Sequence, residues 1–301
     1  MLLVGAVSAL AWNEPTHMVT ADIAYSTLRA ENPAALARVG RLLMRHPEYE
    51  NWVKALPAEL TPEERNRRLL MVAATWPDKL KYDNALKRKY AAYNHPEWHY
   101  INYPYTPGQP PAWTAPSPNI LDGYKAELRI LASNGNVARR AIALCWVLHL
   151  TGDAHCPMHA VALITGDYPA PAGDKGGNSF YVRTKAENKT ARKLHEIWDN
   201  LITGSDRFQN VRKHADRVCA LHPRASLPEA KELRLEEVLR SETYPAAVHH
   251  AYLDGALRGG TRERDAPALP ADYLDNAERA AEKLAALAGY RIAGVLASAL
   301  R

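Results

Sequence analysis

Residues 143–153 read ALCWVLHLTGD, an almost wholly apolar run that carries two ionisable side chains near its end. The run belongs to a stretch of helical periodicity from Asn136 to about Ala154, so we expect a buried helix. His149 and Asp153 are four residues apart and therefore share one face of that helix, one turn from each other. Because an unpartnered carboxylate is costly to bury, the pair indicates either a helix-stabilising contact or a metal site.

The remainder of the chain also favours helices, about nine or ten in all. Residues 61–64 read TPEE, a capping box with proline at the first helical position, and predict a helix towards Trp76. Further helices are predicted after Asn32-Pro33, over residues 119–133 and in the Ala/Leu-rich segment 273–300.

Two segments depart from this helical pattern. Residues 179–183 read SFYVR after the turn-prone GDKGGN, which predicts a strand in one small β-hairpin. Residues 103–118 contain six prolines and are predicted to be a loop. No repeat or change of composition divides the chain. The sequence therefore predicts an all-α fold, with a single multi-helix domain over residues 12–301.

Length and composition exclude several classes of protein. The chain has 301 residues, 47% hydrophobic, which is enough for a sizeable core. A charged fraction of 24% and a net charge of +5 do not fit a disordered chain, and they suit a polyanionic partner. No run of eighteen apolar residues is present, so neither a transmembrane helix nor a membrane anchor is expected. Three cysteines are too few for a disulfide scaffold.

Residues 1–11 read MLLVGAVSALA, an apolar and uncharged start that ends in the small-x-small pattern of a signal peptidase site. We therefore expect a signal peptide, truncated because the positively charged beginning is missing, with the cut before Trp12. The alternative is a buried N-terminal strand or helix. Cleavage would free the amino group of Trp12, and the mature protein would be secreted or periplasmic.

Further imidazole and carboxylate groups extend the pattern around the first pair. His195 and Asp199 repeat the four-residue spacing in LHEIWD, and two such pairs on apolar helices favour a metal site over two helix-stabilising contacts. Neutral imidazole and carboxylate ligands suit zinc, whereas cages made only of carboxylates would suit magnesium or calcium. The remaining candidate metal ligands are His17, Asp78, His99 and His159. Each of them, taken alone, also fits an ordinary turn, core or surface residue.

The motifs, taken in order, resemble those of a known family. They are W-x4-H from Trp12, TWPD, HYIN, HLTGDAHCPMHA, GDKGGN and HEIWD, with ALAGYRIAGVLASAL near the end of the chain. This series resembles the type I nucleases, extracellular single-strand-specific enzymes with three zinc ions that share their fold with bacterial zinc phospholipases C. The resemblance runs from Trp12 to about Arg301 and is loose over residues 207–269.

The resemblance implies a ligand set for three zinc ions. One zinc would be held by Asp78, His99, His149 and Asp153, a second by the Trp12 amino nitrogen and carbonyl oxygen, His17 and the bridging Asp153, and a third by His159, His195 and Asp199. Bridged zinc ions lower the pKa of a shared water from about 15.7 towards 7, which would supply a hydroxide for attack on phosphorus.

Four further residues gain roles from the same resemblance. Lys81 replaces the arginine that the family usually carries, so it keeps the charge but loses the bidentate fork. With Asp78 and Asp153 it would form the catalytic group. Tyr100 would stack on an unpaired base, with core packing as the alternative. Asn102 would contact the base, and Asn200 would lie near the scissile phosphate.

The predicted function is that of a zinc-dependent endonuclease that cuts single-stranded DNA and RNA to 5′-nucleotides, with 3′-nucleotidase activity, as a monomer. The alternative is a zinc phospholipase C, which predicts Glu where the chain has Asp199 and apolar residues around the cleft, where Trp113 is the only hint. A binding protein without activity would lack at least one of the metal-ligand residues, and this sequence has a residue of the family's type at every ligand position. We interpret the three cysteines as buried or paired thiols and not as zinc ligands, because the metal sites are already full. They are Cys145, Cys156 and Cys219.

Overall fold

The computed structural model of the chain describes residues 12–301, and the predicted signal peptide, residues 1–11, lies outside the described residues. The protein is 62% helical, which confirms the all-α prediction. Its helices are α1 (Glu14–Glu31), α2 (Pro33–Leu43), α3 (Tyr49–Ala55), α4 (Pro62–Tyr82), α5 (Asn84–Lys89), α6 (Ile120–Ala132), α7 (Val137–Asp153), α8 (Pro157–Ala160), α9 (Leu194–Asp199), α10 (Phe208–Leu221), α11 (Leu235–Val238), α12 (Tyr244–Ala246) and α13 (Tyr273–Ala299).

Side-chain caps begin the helices where the sequence predicts them. The Asn136 side chain accepts a hydrogen bond from the Arg139 N–H at the start of α7, and Thr61 caps α4 in the same way. The predicted helix count is too low because α8, α11 and α12 are only three or four residues long and carry no full helical period. Helix α4 also runs beyond the predicted end, through Pro77 to Tyr82.

Four short strands form two separate sheets within the described chain. β3 (Tyr181–Val182) and β4 (Arg192–Lys193) pair antiparallel, as the predicted hairpin requires. β1 (Tyr103–Tyr105) and β2 (Val161–Leu163) pair in parallel. The prediction of loop for all of residues 103–118 is therefore wrong at its start. Tyr103 and Tyr105 are both buried, and distant β2 supplies the backbone partners, which no local pattern reveals.

The core is built around two helices that are buried on nearly all sides. α1 packs against α4, α10 and α13, and α7 packs against α4 and α6. Every residue from 141 to 153 of α7 is buried, so this helix is central rather than amphipathic. Of the helices in residues 12–301, none combines the length and the apolar character that a membrane crossing would need.

A buried histidine, His46, packs among aromatic rings of the core. His46 is 3% exposed, and its ring stacks on Trp52 with 4.3 Å between ring centroids. Its Nδ1 accepts a hydrogen bond from the Glu48 N–H at 3.1 Å. Burial lowers the pKa of His46 to about 3, so the folded protein holds this imidazole neutral.

We therefore predict that protonation of His46 in the unfolded chain destabilises the fold in acid. Stability from this residue is complete above its ordinary pKa of about 6.5 and is lost as the pH falls below that value, by about 1.4 kcal/mol per pH unit. Denaturant unfolding from pH 8 to pH 4 should show a shallower fall for His46→Gln than for the original chain. The comparison at pH 8 gives the cost of the replacement itself, and parallel curves below pH 6.5 would contradict the prediction.

Candidate metal centre

The last two turns of α7 carry the first predicted pair towards the centre of the molecule. His149 Nε2 lies 3.0 Å from Asp153 Oδ2. The other ring nitrogen, Nδ1, donates a hydrogen bond to the Ala74 carbonyl of α4 at 2.8 Å, which directs Nε2 towards the carboxylate. Sequence reasoning could not identify this carbonyl partner.

Two groups from other elements meet the pair. His99 ends a short 3₁₀ turn, Pro96–His99, and its Nδ1 lies 2.9 Å from His149 Nε2 and 3.0 Å from Asp153 Oδ2. Asp78 comes from the last part of α4, and its Oδ1 lies 3.6 Å from His99 Nδ1 and 3.7 Å from His149 Nε2. The structure therefore brings together the four side chains predicted for one site.

Helix α1 brings His17 to the opposite oxygen of Asp153. His17 Nε2 is 3.2 Å from Asp153 Oδ1, and its ring stacks on His149 with 3.9 Å between ring centroids. Gly152 permits this approach, because a Cβ atom at that position would lie 2.8 Å from His17 Nδ1. The two oxygens of Asp153 thus face two different groups of imidazoles.

A third group of side chains lies beside the first two. His159 Nδ1 is 3.5 Å from Asp153 Oδ1, and His195 Nε2 is 3.5 Å from Asp199 Oδ2. His195 Nδ1 donates a hydrogen bond to the Gly176 carbonyl at 2.6 Å. Gly176 has a φ of +60°, and a Cβ there would lie 2.3 Å from the Met158 carbonyl oxygen, so glycine is required in this turn.

The start of the described chain is tied to the same region. Trp12 is completely buried, and the N–H of the next residue, Asn13, donates to the Asp199 carbonyl at 3.2 Å. The Asn13 side chain also donates to Asn200 Oδ1 at 2.9 Å. Every residue predicted as a ligand, from Trp12 to Asp199, is at most 7% exposed.

Carboxylate oxygens in the centre lack the arginine partners that two buried carboxylates elsewhere in the described core have. Asp22 pairs with Arg67, and Glu127 pairs with Arg139. In the centre, by contrast, seven atoms have no partner in hydrogen-bond geometry: both nitrogens of His17, both oxygens of Asp78, Asp153 Oδ1, His159 Nδ1 and Asp199 Oδ2. Unpaired buried groups of this kind are costly, and cations would satisfy the carboxylate oxygens and those imidazole nitrogens that carry a lone pair. The donor set, imidazole with carboxylate, fits zinc.

Four of the five imidazoles in the centre have pKa values shifted in the direction that metal binding requires. Burial lowers the pKa values of His17, His99 and His159, and lowers that of His195 to about 4, so these imidazoles are neutral as metal binding requires. Burial alone would also lower the pKa of His149, but the neighbouring carboxylates of Asp153 and Asp78 raise it instead. Burial and the charge of Asp153 raise the pKa of Asp199 well above its usual range. A cation would relieve this repulsion between carboxylates.

The four residues predicted to contact substrate lie at the rim. Lys81 is partly buried, and although burial would lower its pKa, the Asp78 charge together with Tyr82 and Asp153 raises it. Tyr100 is 41% exposed, so the alternative of core packing is wrong. The Asn102 N–H donates to the His159 carbonyl at 3.2 Å. Asn200 is exposed, and its Nδ2 donates to the Glu196 carbonyl at 2.7 Å.

One side chain near the centre lies outside the ligand set that the sequence predicts. The geometry groups Cys156 with His159 and Asp199, with one donor atom from each lying within 4.8 Å of the others. The three cysteines, all within the described residues, are unpaired, and Cys145 and Cys156 are buried. In the sequence, the signal that Cys156 lies near the centre is its position three residues before His159.

The buried imidazole–carboxylate centre of the helical core is an arrangement that can hold metal ions, and the comparison with protein families indicates the class of reaction. The family model described as S1/P1 Nuclease matches residues 12–301. The chain belongs to the S1/P1 nuclease family, whose members are zinc-dependent hydrolases of phosphoester bonds. This confirms the family resemblance. No curated protein sequence matches the chain.

The close contact between Gly152 and His17 generates a prediction with a matched control. Replacing helical glycine with alanine usually stabilises a helix by up to about 1 kcal/mol, and Gly40→Ala in α2, with open space at its Cβ position, should show that gain. Gly152→Ala should instead lower the free energy of unfolding by ~1–3 kcal/mol, because the new methyl group displaces His17. Equal stabilisation of both variants in denaturant unfolding would mean that His17 does not pack against Gly152.

Proposed function

We propose that this protein is a zinc-dependent nuclease that hydrolyses single-stranded DNA and RNA to 5′-nucleotides and removes phosphate from 3′-nucleotides. The observation that carries the proposal is the set of seven unpartnered polar atoms among the buried imidazoles and carboxylates of the centre. Such a set fits several cations, and the family supplies the reaction class, hydrolysis of phosphoester bonds.

The proposed ligands follow the three groups of side chains. Two of these groups bring one donor atom from each member within 4.8 Å of the others, one with Asp78, His99 and His149 and one with His17, His149 and Asp153. The third would use His159, His195 and Asp199, and the Trp12 amino nitrogen and carbonyl oxygen would complete the group of His17 and Asp153. Asp153 suits a bridging role because its Oδ2 faces His149 and His99 while its Oδ1 faces His17.

Zinc, when bound, supplies a Lewis acid and lowers the pKa of coordinated water. The chain itself supplies position and charge. Asp78 and Asp153 hold the imidazoles in place, and the carbonyl groups of Ala74 and Gly176 fix which nitrogen of His149 and His195 faces the centre. The Lys81 ammonium group would attract the substrate phosphate, as a point charge rather than a fork.

Tyr100, Asn102 and Asn200 would bind the nucleotide. The Tyr100 ring, with 41% of the residue exposed, would stack on an unpaired base, which favours single strands because paired bases are already stacked. Asn102 would contact that base through its amide group. Asn200 would hold the phosphate, since its exposed side chain is fixed by Glu196 and Asn13 beside Asp199.

Removal of residues 1–11 is part of the proposal, because it would give Trp12 a free amino group. The family match also begins at residue 12. The protein would then act as a secreted or periplasmic monomer. The hint of the phospholipase C alternative is Trp113, which is 37% exposed but packs mainly within the protein. Trp113 packs edge-on against Tyr103 and Tyr244, with the Arg240 guanidinium 5.5 Å from its ring centroid.

The test compares two substrates with protein whose first residue has been verified as Trp12. We expect release of acid-soluble nucleotides from single-stranded DNA and RNA, abolished by a chelator and restored by zinc. Phosphocholine release from phosphatidylcholine should be absent. Release of phosphocholine without nucleotides would contradict the nuclease proposal and support the phospholipase. If neither product is released although the zinc content is intact, the protein is a binding protein without activity.

Replacement of Asp153 by Asn should remove most of the metal. The substitution takes away the charge and one ligand oxygen between two groups of imidazoles, so we expect elemental analysis to fall from three zinc ions per chain towards one. Glu48→Gln is the control, because Glu48 is also a buried carboxylate but pairs with Lys89 outside the centre. Full zinc content in Asp153→Asn would contradict the ligand assignment.

Replacement of Tyr100 by Ala should weaken substrate binding without loss of metal. Stacking of one base contributes ~1–3 kcal/mol, so KM for a short oligonucleotide should rise about 5- to 150-fold while zinc content stays at three. Tyr100→Phe keeps the ring and should keep KM. An unchanged KM in Tyr100→Ala would place base binding elsewhere on the surface.

A further inference from the structure

Cys156 lies in the tight turn that connects α7 to α8. Its N–H donates to the Asp153 carbonyl at 2.9 Å, and its own carbonyl accepts from the His159 N–H at 3.0 Å. This turn places Cys156 between two residues of the metal centre, and the cysteine is completely buried.

The sulfur of Cys156 faces the third group of side chains. Sγ lies 3.7 Å from Asp199 Oδ1, and one donor atom each from Cys156, His159 and Asp199 lie within 4.8 Å of one another. A tetrahedral zinc with sulfur at about 2.3 Å and oxygen at about 2.0 Å separates those two atoms by about 3.5 Å. The observed separation is close to that value.

Two further buried atoms point to a cation between these side chains. Asp199 Oδ2 and His159 Nδ1 have no hydrogen-bond partner, and both residues are at most 2% exposed. Cys145, also buried, has a different partner: its Sγ donates to the Ala141 carbonyl at 3.5 Å within its own helix, whereas Cys156 Sγ contacts a carboxylate of the centre. The position of Cys156 among unpartnered donors therefore distinguishes it from an ordinary core thiol.

We propose that Cys156 is a fourth side-chain ligand of the cation held by His159, His195 and Asp199. The inference rests on the metal centre of the proposed function and adds a ligand to it. On binding, the S–H bond breaks, the proton passes to solvent, and a sulfur lone pair forms the bond to the metal, with no change of oxidation state. A coordinating cation deprotonates a thiol even where the protein alone would not.

This ligand would make the third site different from the other two. A thiolate favours soft or borderline cations such as zinc and cadmium over magnesium, calcium or manganese. Four side chains also complete a tetrahedral shell, the arrangement of structural rather than catalytic zinc sites. The third cation would then hold α8 and α9 together as well as add positive charge to the centre.

Cobalt substitution of the full holoenzyme tests the proposal. Zinc is exchanged for Co²⁺, metal content is measured, and the near-ultraviolet spectrum is examined for the sulfur-to-cobalt charge-transfer band. We expect the band in the original chain and its loss in Cys156→Ser and Cys156→Ala. The band should persist in the Cys145→Ser, Cys219→Ser double variant, where Cys156 is the only thiol.

Each outcome separates the inference from the proposed function. A chain that binds no cobalt and no zinc overturns the metal centre itself. Full cobalt binding without the band, or a band that persists in Cys156→Ser, overturns only the ligand role and leaves Cys156 as an S–H donor to Asp199. If circular dichroism shows that the Cys156 variants do not fold, the double variant decides alone, because a band from its single thiol supports the proposal and its absence overturns it.

Discussion

The carboxylate of Asp153 is the constraint on which the rest of the centre depends. It ends α7 in the middle of the core, completely buried, and within 3.5 Å of the carboxylate lie nitrogens of His17, His99, His149 and His159. A charge in that position requires opposite charge close by, and burial keeps His17, His99 and His159, three of these four imidazoles, neutral. The architecture therefore favours cations, and the helices converge on Asp153 because each contributes a donor to it.

Backbone groups give this convergence its precision. The carbonyls of Ala74 and Gly176 accept from the outer nitrogens of His149 and His195 and so fix the direction of each ring. Glycine appears where a side chain would collide with the centre, at Gly152 beside His17 and at Gly176 beside the Met158 carbonyl. Residues that bind no metal themselves thus determine where the donors lie.

The sequence was sufficient for most of the fold, because caps such as Thr61 and helical periodicity are local signals. It was also sufficient to nominate the donors, since a four-residue spacing predicts one helix face. It could not predict β1, whose partner strand is far along the chain, or the exposure of Tyr100, which depends on tertiary packing. The interpretation of Cys156 as a buried thiol is confirmed, but its contact with Asp199 depends on the turn after α7, which no local pattern reveals.

The unpartnered atoms of the centre have a consequence for how long the folded protein persists outside the cell under the proposed function. A centre that holds seven unpartnered polar atoms would gain stability when cations bind, and cation binding and folding would then be thermodynamically linked. Under the proposed function, scarcity of zinc would raise the population of opened chains, and proteases act on opened chains. Zinc supply would then govern how long each molecule survives as well as how fast it works.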